Sequence, residues 1–146
     1  MQQLLDDFGV TIDQAYQRML GMRESDVAFS SSPGQWTRKQ ILGHLIDSAN
    51  NNHRRFVMAQ ISDQVIDGGY EQEGWVTVQG YQEAPWANLV ELWKSYNLHL
   101  LHVMSRAPEG KLSTPIVIHD GEPVSFGFLM EDYVRHMKHH LDQVFS

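Results

Sequence analysis

Apolar residues recur at spacings of three and four through four separate stretches of this chain, the period of amphipathic helices. Leu4, Leu5, Phe8, Ile12, Tyr16, Met19 and Leu20 mark the first, over residues 2–22. Ile41, Leu42, Leu45, Ile46, Ala49, Phe56 and Val57 mark the second, from Arg38 to about Gln60. Its start is punctuated: Thr37 with Gln40 reads as a capping box, and Trp36 with Ile41 as the hydrophobic staple around it. Leu89, Trp93, Tyr96, Leu100 and Val103 define the third, from about Trp86 to Arg106, stopped by Ala107-Pro108. The fourth runs from Phe126 to about Phe145 behind Ser125 as N-cap. Its stripe is Leu129, Tyr133, His136, His140 and Val144, so two histidines stand where a helix normally places apolar side chains.

The connections are uneven. Ser30-Ser31-Ser32-Pro33-Gly34 is loop chemistry. Residues 61–85 form the longest irregular stretch, punctuated by Gly68-Gly69, Gly74, Gly80 and Pro85. It nevertheless holds Tyr70, Trp75 and Tyr81, aromatics that a mere linker does not need. Loops of this length inside a compact domain are usually functional or packed over something. Pro115 to Val124 reads as a short extended turn-back with Asp120-Gly121 as the turn. Four amphipathic helices of this length make an all-α four-helix bundle, in one domain spanning residues 1–146.

Composition narrows the function classes. A hydrophobic fraction of 42% and a charged fraction of 20% suit an ordinary globular domain. Eleven basic against eighteen acidic residues give a net charge of −7, and no basic run or basic helix face exists. Nucleic acid and anionic membrane surfaces are therefore poor partners. The absence of cysteine removes disulfides, thiolate ligands and a cysteine nucleophile. No segment is apolar enough to span a bilayer, and Met1 to Asp7 lacks the regions of a secretion signal. A cytoplasmic location is the expectation.

The candidate chemistry lies in histidines. His136 and His140, four apart on a helix, project one above the other, close enough to share a ligand. His44 falls just off one edge of the second helix's apolar arc, beside Ser48, Asn51 and Arg55, at the border of core and solvent. In helical bundles metal sites are assembled from facing helices, and His44, His136 and His140 are placed for that. Three imidazoles form the ligand set of a catalytic site, with a position left open. Zn2+ and Ni2+ suit such nitrogen donors. Asp47, one turn from His44, is the nearest group to orient a ligand histidine or bound water; Asn51 is a second polar candidate on that edge. His53 is expected to pack or hydrogen-bond, His139 to face water, and His99 and His102 to lie at a surface or interface. The competing account of the pair on the last helix is buried histidines bonded to other helices.

Three segments resemble one family. Pro33 to Asp47, with Trp36, Thr37, His44-Leu45 and Asp47, resembles the second-helix entry of DinB-like proteins. His136 to Gln143 resembles the family's closing helix, an H-x-x-x-H with a trailing glutamine, and Tyr70 to Val76 looks like a loop segment of one branch. The resemblance implies an up-down-down-up four-helix bundle, often dimeric, with a divalent metal on His44, His136 and His140. Some relatives are thiol-dependent transferases or isomerases, and others are labelled metal-dependent hydrolases. A small-molecule substrate is thus expected, with a low-molecular-weight thiol among the candidates. The alternative is a non-catalytic bundle that binds a small ligand or uses the metal for stability alone. A homodimer is expected on one further ground: four tryptophans, five tyrosines and six phenylalanines are many for one small core. Trp86, Leu89 and Trp93 are expected to share a face that a partner would cover.

Overall fold

The computed structural model describes residues 1–146. Its four long helices are α1 (Gln2–Leu20), α3 (Arg38–Ile61), α5 (Trp86–Ser105) and α6 (Phe126–Phe145), with short helices α2 (Glu24–Val27) and α4 (Gln72–Gln79) between them. The boundaries expected from the sequence hold to within two residues, because their punctuation is present. Thr37 caps α3 through its side chain and Gln40 closes the box. Ser125 accepts from the Phe128 N–H at the start of α6.

Side-chain contacts fix the direction of each helix. Tyr16 meets Glu91, and the Trp86 indole N–H donates to the Met19 carbonyl, so α1 and α5 run antiparallel. Asn50 and His53 meet Tyr96, and His53 also meets His99, which makes α3 parallel to α5. Phe56 packs on Phe126 while Arg38 reaches the Val144 carbonyl, so α6 opposes α3. The order is up, down, down, up, with α5 packed against both α1 and α3, and α6 against α3.

Burial explains why the periodic segments fold as they do. Phe8, Phe56, Trp93, Phe126 and Leu100 are fully buried in one core, with Phe56 and Phe8 set edge-on against Tyr133. Gly9 costs α1 about 1 kcal/mol against alanine. Burying its neighbour Phe8 is worth roughly 2–3 kcal/mol, so the helix continues. The Tyr133 hydroxyl, deep in this core, donates to Asn97 at 2.6 Å, which satisfies both groups.

Two stretches are more ordered than their composition suggested. Residues 61–85 contain β1 (Val65–Asp67), α4 and a 3-10 turn at Tyr81–Glu83. Strand β2 (Pro115–Ile118) pairs parallel with β1, and β3 (Val124–Ser125) pairs antiparallel with β2. The helical bundle thus carries a small three-stranded sheet. The reversal after β2 is centred on His119-Asp120 rather than Asp120-Gly121: the Gly121 N–H returns to the Ile118 carbonyl, and His119 takes φ 55°. Its N–H donates to the Asp67 carbonyl at 2.7 Å, which ties that turn to the end of β1.

The aromatics expected to face a partner are inside. Trp86 is 4% and Trp93 0% exposed, and Leu89 lies beside them in the core. One bundle absorbs them because α5 packs against both α1 and α3, and the Trp86 indole N–H is met by the Met19 carbonyl.

Candidate metal centre

His44 comes from the second turn of α3, and His136 and His140 from adjacent turns of α6, which crosses it antiparallel. One ring nitrogen from each lies within 4.8 Å of the other two. The rings meet edge to face, His44 at 4.8 Å from His140 and 5.7 Å from His136 between centroids. The sequence expectation for this trio is met in space. His44, expected at a half-exposed border, is only 1% exposed. Trp36 covers it, its ring centred 5.0 Å from the imidazole.

The hydrogen bonds define the tautomers. His140 Nδ1 lies 2.8 Å from Gln143 Oε1, an acceptor, so Nδ1 carries the proton and Nε2 is left bare. His136 Nε2 lies 3.1 Å from that bare nitrogen. Two nitrogens on one zinc ion, each about 2.0–2.1 Å from it at a tetrahedral angle, would lie about 3.3 Å apart. The pair is already near that spacing. His44 Nδ1 is buried without any partner, which is costly for a polar atom until some group bonds to it.

Electrostatics keeps all three neutral. Burial, then the charges of His140 and His136, lowers the His44 pKa to about 4. Burial also lowers those of His136 and His140, with the Gln143 bond opposing it at His140. A metal ligand must be unprotonated, so the site is in its binding form near neutral pH. The donor set fits a borderline divalent ion such as zinc or nickel, and offers no carboxylate of the kind magnesium or calcium prefers.

Asp47 and Asn51 have other immediate partners. The Asp47 carboxylate accepts from Tyr81 at 2.6 Å and Gln79 at 2.7 Å through one oxygen, and no hydrogen bond joins it to the histidines. Its second oxygen is buried and unpartnered. Burial raises the Asp47 pKa, and the bonds from Tyr81 and Gln79 partly offset this. Asn51 donates to the Asp47 carbonyl within α3. Tyr81 and Gln79 are the functional neighbours that sequence reasoning missed. The signal was Gly80: with φ 61° it ends α4 in the left-handed conformation that closes many helices. Gly43 completes the arrangement, for a Cβ there would lie 2.2 Å from the Tyr81 ring.

The other histidines follow expectation. His53 bonds the Tyr96 hydroxyl at 2.9 Å, and His99, His102 and His139 are exposed. No helix is long and apolar enough to cross a membrane. An open cavity of about 490 Å³ reaches the cluster along His140, lined also by Trp36, Gln72, Glu73 and Gln143.

Comparison with known proteins agrees with this geometry. The family model of the DinB superfamily matches residues 8–144. Among solved structures, YfiT from Bacillus subtilis superposes with a TM-score of 0.83 at 19% identity, covering 98% of this chain and 81% of that one. It is described as a probable metal-dependent hydrolase with an unusual four-helix bundle topology. The mycothiol-dependent maleylpyruvate isomerase superposes with a TM-score of 0.81 at 12% identity, over 98% of this chain and 60% of that one. No curated protein sequence matches the chain. The match over nearly the whole length, with the fold it predicts, makes this chain a member of the DinB superfamily.

Proposed function

We propose that the chain binds one divalent metal ion, zinc or nickel, through His44, His136 and His140, and works as a metal-dependent enzyme on a small molecule. The observation that carries this is the convergence of three neutral imidazoles within 4.8 Å beside an open cavity. A closed structural site would want a fourth protein ligand, and the cluster has none. Bound there, the ion would act as a Lewis acid and lower the pKa of a water or thiol in its open position. The chain's own groups do the positioning. Gln143 holds the His140 tautomer with Nε2 free to ligate. Trp36 screens the buried side of His44 from water. Asp47, held by Tyr81 and Gln79, keeps α4 on α3 beside the cavity.

Hydrolysis and thiol-dependent chemistry both suit such a centre, and the two structural neighbours are described as a probable metal-dependent hydrolase and a mycothiol-dependent isomerase. Metal analysis of tag-free protein reloaded with each ion tests the proposal, with one equivalent of zinc or nickel expected. Absence of stoichiometric binding would overturn it. The alternative, a metal that serves only stability, makes a different prediction for His136→Ala. An open enzymatic centre predicts lost binding with the melting temperature changed by a few degrees. A structural ion predicts a large fall, since metal binding energy is then folding energy.

A further inference from the structure

A second cavity, of about 610 Å³, opens on the other side of Gln72, the residue it shares with the cavity at His140. Its walls are Arg55, Gly68 to Gln72, Ile118 and His119. Arg55 is the unusual member, an arginine only 5% exposed. Its terminal nitrogens make one bond to Asn52 at 3.4 Å and one to Asp67 at 3.2 Å, and its Nε has no partner. A guanidinium has about five N–H donors in a planar fork and no acceptor. Two are used, so three remain, and an unmet buried donor is costly.

The Asp67 carboxylate does not serve that cation alone. Asp67 is shared between Arg55 and Arg54, whose guanidinium lies 3.6 Å away. The carboxylate of Glu71 is turned onto Gly74, where a Cβ would lie 2.1 Å from it. His119 closes the far wall in a left-handed conformation that a non-glycine residue adopts at a cost, held there by its bond to the Asp67 carbonyl. A ligand matching this wall is rich in acceptors, with two oxygens spaced for a fork.

We infer that this cavity is an oxyanion subsite, in which the unused N–H donors of Arg55 bind a carboxylate or phosphate group. Placed beside the histidine cluster, it would take the anionic end of the molecule whose reacting group lies there, and in that respect it rests on the proposed function. Arg55 and His44 are eleven residues apart on one helix, about 16 Å along its axis. At about 100° per residue the two side chains stand only about 20° apart around the axis, so they share one face of α3. The substrate class is then an extended molecule with a terminal acid.

The test uses full-length, 15N-labelled protein freed of metal with a chelator. Inorganic phosphate, succinate and chloride are titrated separately at matched ionic strength. Phosphate or succinate is expected to shift the Arg55 Nε–H resonance and the His119 amide saturably, while chloride does not. Succinate alone assigns a carboxylate end, and phosphate alone a phosphate end. Arg55→Lys keeps a cation beside Asp67 but removes the fork, and binding is expected to weaken about tenfold or more. The wild-type titration needs no variant. Absence of a saturable shift up to tens of millimolar overturns the proposal, as does a shift that a folded Arg55→Lys protein retains in full. Because the titration is metal-free, it can fail while metal binding succeeds, and the converse.

Discussion

Gly43 and Tyr81 show how one absent Cβ shapes the neighbourhood of the histidines. The Tyr81 ring lies directly on the α3 backbone at Gly43, and its hydroxyl there reaches Asp47, one turn further along. Burial, then the Asp47 carboxylate, pushes the Tyr81 pKa well above its ordinary value, so the phenol remains a donor at any physiological pH. In Gly43→Ala the new methyl would overlap the ring, and ring and backbone can separate only if the 3-10 turn lifts from α3. Overpacking of this kind costs about 1–3 kcal/mol. The gain of alanine over glycine in a helix, about 1 kcal/mol, offsets part of it. Urea unfolding of Gly43→Ala is expected to give a net loss. Tyr81→Phe should separately lower stability by about 1–3 kcal/mol, because it removes a hydrogen bond to the buried Asp47 carboxylate and leaves Gln79 as its single donor. A Gly43→Ala protein more stable than wild type would show that the ring adapts freely.

Among the elements, α3 and β1 are joined by charge as much as by packing. Burial alone would raise the Asp67 pKa, but the hydrogen bond from Arg55, the Gly69 N–H and the charges of Arg55 and Arg54 together lower it. A carboxyl held below its unfolded value stabilises the fold fully above about pH 4, and that contribution is lost as pH falls through the folded value. The histidines act in a higher window. Their pKa values are depressed in the fold, so protonation favours the unfolded chain as pH falls from about 6.5 toward about 4. Comparing wild type with Asp67→Asn separates the two. The wild-type advantage is expected to be constant from pH 7 to 5 and to shrink below about pH 4. An advantage that stays level down to pH 3 would remove Asp67 from the joint. The short helix α4 is held by Gln79 and Tyr81 on Asp47, and its eight residues are too few for a stable helix in isolation.

At the scale of the whole molecule, the exposed apolar groups decide what a partner could cover. Homodimerisation loses its aromatic argument, since Trp86, Leu89 and Trp93 serve the core. What remains exposed and apolar on the long helices includes Val57 and Ile61 on α3 and Leu92 and Leu98 on α5. Ile61, 71% exposed, and Val57 line a shallow cavity with His102 and Val103 between those two helices. A homodimer remains the expectation, and this α3–α5 surface is the face we assign to it. Light scattering behind size exclusion at micromolar concentration is expected to give twice the 16.8 kDa chain mass. A single species at the chain mass would overturn the dimer, and Ile61→Glu should convert dimer to monomer without unfolding either.

Periodicity and caps by themselves determined the four long helices, because a 3.6-residue stripe and a capping box are local patterns that tertiary contacts here only reinforce. They also determined the metal candidates: two histidines one turn apart must share a face, and His44 stood at the edge of its own arc. The depth of His44 was not legible. Angle on a helical wheel says which way a side chain points, but only the tertiary structure decides that Trp36 and α6 close over it. The same holds for the polar edge of α3. Ser48, Asn51 and Arg55 read as a solvent border, yet Ser48 and Arg55 are buried because residues 65–83 fold over them. That segment carries β1, whose pairing partner is about fifty residues away, and α4, whose hold on α3 passes through Asp47. Such order comes from contacts distant in sequence, which no local pattern records. Its composition, rich in glycine and aromatics, announced only that something would be packed there.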